Sequence, residues 1–200
     1  MKYFFLSFII FYNSTCYCQT ESEFIHNAVI KFDSGDYFGA ISECNNAIKI
    51  NQQSYIAFFN RGLAKYNLKD YRGAILDYNM SIGINPNYSS SFNSRGVAKA
   101  ALKDYRGAIS DYTKAIGKNP LNSDYYYNRG NSKGYLRDFR GAIIDFNKCI
   151  EINPQFTKAF ISRGYTKIKL GDKNGGCLDF SKAGELGLNE AYEYITNYCQ

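Results

Sequence analysis

An arginine-glycine pair returns every 34 residues along this chain, as Arg61-Gly62, Arg95-Gly96, Arg129-Gly130 and Arg163-Gly164. Nine residues after each arginine stands an aspartate (Asp70, Asp104, Asp138, Asp172), and Asp36 supplies another one period earlier. Asn-Pro follows the first three arginines at a fixed distance, as Asn85-Pro86, Asn119-Pro120 and Asn153-Pro154. A chain that repeats itself at such a spacing folds as copies of one small supersecondary unit stacked on each other.

Residues Tyr55 to Tyr88 make one such unit. Its first half places Phe58, Gly62, Ala64 and Tyr66 at helical spacing, with no breaker before Lys69-Asp70. Asp70 is a good N-cap for a second helix carrying Ala74, Ile75, Tyr78, Ile82 and Ile84. Pro86 then ends that helix, because proline lacks the N–H and disfavours helix at the preceding residue. Neither helix can bury its apolar stripe alone, so the units must stack. Small residues recur where two helices would come close: Gly62, Gly96, Gly130 and Gly164 in the first helix, Ala74, Ala108 and Ala142 in the second. Another row, Gly39, Gly73, Gly107, Gly141 and Gly175, reads as a further packing contact.

The third unit shows Phe92, Gly96, Ala108, Tyr112, Ala115 and Pro120, with Arg95 where a leucine is usual. This pattern resembles the tetratricopeptide repeat (TPR) family over residues 21–188, and an exported bacterial member of it is expected. The resemblance implies an all-α, right-handed superhelix of about five helix pairs, over 21–54, 55–88, 89–122, 123–156 and 157–188. It also implies a concave groove that binds a peptide or protein segment. The first unit has Asn27-Ala28 in place of Arg-Gly, and the fifth has Gly187-Leu188 in place of Asn-Pro. Such degenerate ends are those of capping repeats, and residues 189–200 read as a C-terminal capping helix.

Met1-Lys2 and the apolar run Tyr3 to Tyr12 have the layout of a secretory signal, too short to span a bilayer. Cleavage before Gln19 removes residues 1–18 and implies a periplasmic or secreted protein with no transmembrane segment in its mature form. An uncleaved N-terminal membrane anchor is the alternative. The residues before Cys16 and Cys18 do not fit a lipoprotein signal. The chain carries 24 basic and 18 acidic residues, a net charge of +6, and loses only Lys2 with the leader. Its lysines and arginines are spread by the repeat, so no nucleic-acid surface is indicated. The mild excess fits an acidic partner, an anionic envelope surface or a solvated convex face.

His26 is the single histidine and no Cys-x-x-Cys exists, so neither a metal nor a cofactor site is expected. No catalytic triad or phosphate-binding loop can be assembled from these residues, and no catalytic residue is assigned. The recurring charges read as ion pairs between the helices of one unit: Arg61 with Asp77, Arg95 with Asp111, Arg129 with Asp145, and Arg163 with Asp179. The alternative is a basic ladder for a carboxylate ligand, since Lys65, Lys99, Lys133 and Lys167 lie four residues further on the same face. Mapping the family's inner wall onto the first helices gives Phe59, Leu63, Asn93, Tyr127, Asn131, Tyr135 and Tyr165 as candidate groove residues. Some of these aromatics serve equally well as packing between repeats.

Cys177 and Cys199 stand eleven residues either side of Leu188. In an antiparallel hairpin that symmetry brings them level, where an oxidising compartment would join them. Cys44 and Cys149 are expected as buried free thiols. The function that fits best is a non-catalytic, exported protein-interaction scaffold. Two alternatives are a structural factor of envelope assembly, and a glycan or small-ligand binder using Tyr127, Tyr135 and Tyr165 as a stacking platform.

Overall fold

The computed structural model describes residues 20–199, and these form eleven α-helices without a strand. Residues 1–18 and the cleavage site before Gln19 lie outside the described residues. The helices fall into five antiparallel pairs: α1 (Glu21–Asp33) with α2 (Tyr37–Ile50), α3 (Tyr55–Asn67) with α4 (Tyr71–Ile84), and α5 (Ser89–Ala101) with α6 (Tyr105–Lys118). The remaining pairs are α7 (Ser123–Tyr135) with α8 (Phe139–Ile152), and α9 (Thr157–Lys169) with α10 (Lys173–Glu185). A last helix, α11 (Ala191–Tyr198), follows. First helices of successive pairs approach one another (α1 with α3, α3 with α5, α5 with α7, α7 with α9), while successive second helices stay further apart. The stack therefore curves, with the odd-numbered helices from α1 to α9 on its inner face. This is the all-α superhelix that the resemblance implies.

Each turn within a pair closes one helix and opens the next in three residues. In the second unit Leu68 ends α3, and Lys69 follows in the left-handed region at φ 64°. The Lys69 N–H then reaches the Tyr66 carbonyl and the Asp70 N–H reaches that of Lys65, both at 2.9 Å. This satisfies carbonyls that the end of α3 would otherwise leave bare. The Asp70 carboxylate caps α4 by accepting from the Gly73 N–H at 2.9 Å. Asp36, Asp104, Asp138 and Asp172 do the same for Gly39, Gly107, Gly141 and Gly175.

That arrangement corrects the reading of this glycine row as a packing contact between helices. A Cβ on Gly73 would collide with Asp70 Oδ2, and one on any of the other four glycines would collide with its own capping aspartate. The glycine is required by its own helix cap. At the far end of the first four second helices an asparagine, followed by proline in three of them, turns the chain by accepting from the N–H two residues on. Asn51, Asn85, Asn119 and Asn153 accept from Gln53, Asn87, Leu121 and Gln155.

Within a pair, the mid-helix glycines do set the helix separation. A Cβ on Gly96 would lie 2.7 Å from the Tyr112 ring, and Gly62, Gly130 and Gly164 face Tyr78, Phe146 and Phe180 equally closely. Those four rings are almost fully buried, as are Ala74, Ala108, Ala142, Ala115 and Ala183 beside them. Burial raises the pKa of the Tyr78 and Tyr112 hydroxyls, which hydrogen-bond to Ser94 and Ser132.

At the C-terminal end Cys177 and Cys199 are joined by a disulfide with Cα atoms 5.8 Å apart. Tyr194 and Tyr198 of α11 lie against Phe180, so α11 covers the open side of α10. Cys44 and Cys149 are buried free thiols, and burial pushes both up to about 12.

Gly96→Ala is expected to destabilise the chain despite alanine's better helix propensity. The propensity gain is about 1 kcal/mol, against a cost of roughly 1–3 kcal/mol for overpacking a buried ring. A chemical denaturation curve reads the sign. Thiol titration tests the cysteines: Cys44 and Cys149 should react only in denaturant, and Cys177 and Cys199 only once a reductant is added. Reduction should also lower stability by roughly 3 kcal/mol, the chain-entropy value for a loop of this length.

Candidate functional site

Two constellations recur along the array, one buried and one open. The buried one is centred on an aspartate of each second helix. Arg129 donates through Nε and Nη2 to both oxygens of Asp145, at 3.0 and 2.7 Å, and Lys133 Nζ lies 2.7 Å from Oδ2. The Asp145 side chain is only 2% exposed. Arg61, Arg95 and Arg163 hold Asp77, Asp111 and Asp179 by the same fork, each joined by Lys65, Lys99 or Lys167.

The third guanidinium nitrogen reaches back to the preceding repeat. Arg61, Arg95 and Arg163 donate through Nη1 to Asn45, Asn79 and Asn147, and Arg129 donates to Thr113. Each guanidinium also lies 5.2–5.7 Å from an aromatic ring one turn back: Phe58, Phe92, Tyr126 or Phe160. The arginine is thus a clasp between three helices of two repeats. In the first repeat, where Asn27 replaces it, only Lys31 and Glu43 remain, 3.4 Å apart.

The open constellation is a cavity of about 700 Å³ on the inner face between α7 and α9. Tyr127, Asn131 and Tyr135 line it from α7, and Ser162, Tyr165, Thr166 and Lys169 from α9. Phe139 and Phe146 of α8 contribute to the lining from behind, and Arg137 from the turn between α7 and α8. Gly134 makes the space. A Cβ there would meet nothing within 4 Å, whereas the same repeat position carries Tyr66, Ala100 and Ile168 elsewhere. Tyr135 is 70% exposed, held by a parallel stack on Tyr105 at 4.6 Å.

Four of the seven groove residues expected from sequence, Tyr127, Asn131, Tyr135 and Tyr165, therefore line one cavity. The other three lie outside it. Phe59 and Leu63 pack on the Ala74–Tyr78–Ala98 cluster, with the Phe59 ring also against Tyr88. Asn93 accepts from Asn128 at 3.0 Å. Tyr127 shares the packing role of Phe59, because its ring lies 4.9 Å from that of Phe156. Among the described residues no cluster of His, Cys, Asp or Glu is placed to hold a metal, and no helix is long and apolar enough to cross a membrane.

The tetratricopeptide repeat family model matches residues 123–156, the unit that supplies α7 and α8. Its landmarks return at 34-residue spacing in the neighbouring units. The chain folds as a tetratricopeptide-repeat superhelix. Solved structures share the fold over most of the chain. The crystal structure of MamA protein is 22% identical with a TM-score of 0.75, covering 86% of this chain and 94% of that one. YrrB, described as a TPR protein with an unusual peptide-binding site, is 15% identical with a TM-score of 0.72, covering 87% and 91%. Pseudomonas aeruginosa pilF is 15% identical with a TM-score of 0.78, covering 84% and 76%. At these identities the likeness is one of fold. No curated protein matches the chain.

Within the tetratricopeptide array, the reach of each arginine to Asn45, Asn79, Thr113 or Asn147 is a contact that the sequence reading does not contain. The signal for it is present, since these residues stand 16 before each arginine just as the aspartates stand 16 after it. Arg129→Ala should lower stability by about 2–4 kcal/mol, somewhat less than full loss of a buried ion pair because Lys133 remains on Asp145. Its melting temperature reads this. Arg129→Lys should recover only part of the loss, because a lysine cannot span Asp145 and Thr113 together.

Proposed function

We propose that this chain is a non-catalytic scaffold that holds an extended peptide or protein segment along its concave face, anchored in the cavity between α7 and α9. The observation that carries the reading is that cavity: concave, aromatic-floored, fringed with amide and hydroxyl groups, and opened by a glycine. Tyrosine and asparagine combine apolar area with adaptable hydrogen bonds, which suits contact with a peptide. YrrB, of like fold, is itself described by a peptide-binding site. The recurring charges argue against chemistry at the clasps, because each aspartate is already saturated by an arginine and a lysine.

We also propose that the protein works outside the cytoplasm, after loss of residues 1–18. The leader-like sequence supports this, and so does the Cys177–Cys199 disulfide, a bond that persists in oxidising compartments. N-terminal sequencing of the native protein tests it. A chain beginning at Gln19 supports export, and an intact Met1 in a cytoplasmic fraction contradicts it.

Peptides selected from a random library on the purified chain test the groove. Gly134→Tyr should abolish their binding while leaving the melting temperature unchanged or higher, because the new ring enters open space and the helix loses a glycine. Tyr165→Ala should weaken binding by roughly 1–2 kcal/mol, as for an aromatic anchor of an interface. Undiminished binding in both variants, with loss on changing the convex residues Leu76 and Ile144, would place the site elsewhere.

A further inference from the structure

We infer that the cavity between α7 and α9 selects a segment bearing carboxylates beside an aromatic side chain, with Arg137 and Lys169 as their charge partners. This rests on the groove reading above and names the chemistry of its ligand. Eleven residues line the cavity; two are cations and none is a carboxylate. Every other cation in these two first helices except Lys158 is committed: Arg129 and Lys133 to Asp145, Arg163 and Lys167 to Asp179. Arg137 and Lys169 have no ion-pair partner among the described residues. Lys169 Nζ is held 4.9 Å over the Tyr165 ring, on the cavity wall.

The acids nearest in sequence make no ion pair with them. Asp138 is turned to the Gly141 N–H at 3.0 Å and Asp172 to that of Gly175 at 2.8 Å, each capping a helix. Asp124 lies at the other end of α7. Two cations without ion-pair partners on a partly enclosed, aromatic-floored cavity attract an anion, since water screens them less there than on an open surface.

Arg137 stands in the left-handed region at φ 64°, as Lys69 and Lys103 do at the same position of the second and third repeats, where the first and fifth carry Gly35 and Gly171. Of these five positions Arg137 is the one that lines the cavity, and it sets a guanidinium there. Below it, Tyr127, Phe139, Phe146 and Tyr165 offer ring surface, and Asn131, Ser162 and Thr166 offer hydrogen-bonding groups. A cavity of about 700 Å³ has room for a few residues of a peptide.

The test uses the purified chain and peptides panned from a random library displayed on phage. The selected pool should be enriched in Asp or Glu next to Phe, Tyr or Trp. Synthesis of one selected peptide with each carboxylate changed to its amide should weaken binding about tenfold, as loss of a charge-assisted hydrogen bond does. Arg137→Gly and Lys169→Gln should each weaken the acidic peptide several-fold and leave the amide peptide unaffected. Arg137→Gly should not lower the melting temperature, which separates a lost contact from a lost fold. Peptides that bind without acidic enrichment, or whose amide form binds equally, overturn this inference and leave the peptide groove standing. If no peptide is retained, or only neutral sugars bind, both readings fall.

Discussion

A carboxylate buried in every second helix from α4 to α10, met by an arginine fork and a lysine, is the interaction on which the rest of this structure depends. Burying the charge of Asp77, Asp111, Asp145 or Asp179 is costly in itself, and the cost is offset only if both oxygens are fully bonded. The fork requires that the first helix stand at one level relative to the second. The reach of Nη1 to Asn45, Asn79, Thr113 or Asn147 requires the same of the previous repeat. Apolar helices stacked on each other can slide; helices joined by three directional contacts at one level cannot. Register between repeats is therefore set by polar geometry, while the Gly–aromatic contacts set the distance.

Much of this scaffold is legible in the amino-acid sequence, for a plain reason. A repeat prints its local requirements many times over, so Asp N-caps, Asn-Pro turns and the Arg–Asp spacing stand out as rows. Rows do not say who the partner is. The glycines at 39, 73, 107, 141 and 175 have the spacing of a helix–helix contact, yet the neighbour that excludes a Cβ is the cap of the same helix. A spacing argument cannot separate the two, because both recur every 34 residues. The arginine's third partner is harder to see because only one of its two symmetric 16-residue neighbours carries charge.

The cavity is harder still, because it is a departure from the repeat. Phe59 and Tyr127 occupy the same position and pack alike, so the row of groove residues does not reveal where space opens. Space opens where Gly134 replaces the side chains of Tyr66, Ala100 and Ile168. A glycine in a row that otherwise carries side chains, next to exposed tyrosines, is the signal that a scan for sameness discards. In this solenoid, sameness builds the stack and deviation opens the cavity.

The central claim is that the partner lies on the concave face at this deviation, and an NMR titration locates it most directly. A library-selected peptide added to isotope-labelled chain should shift the backbone amides of Asn131, Gly134, Thr166 and Lys169 saturably. Amides of the convex face around Leu76 and Ile144 should stay in place. Saturable shifts confined to that convex face, with the α7 and α9 amides unmoved, would contradict the account.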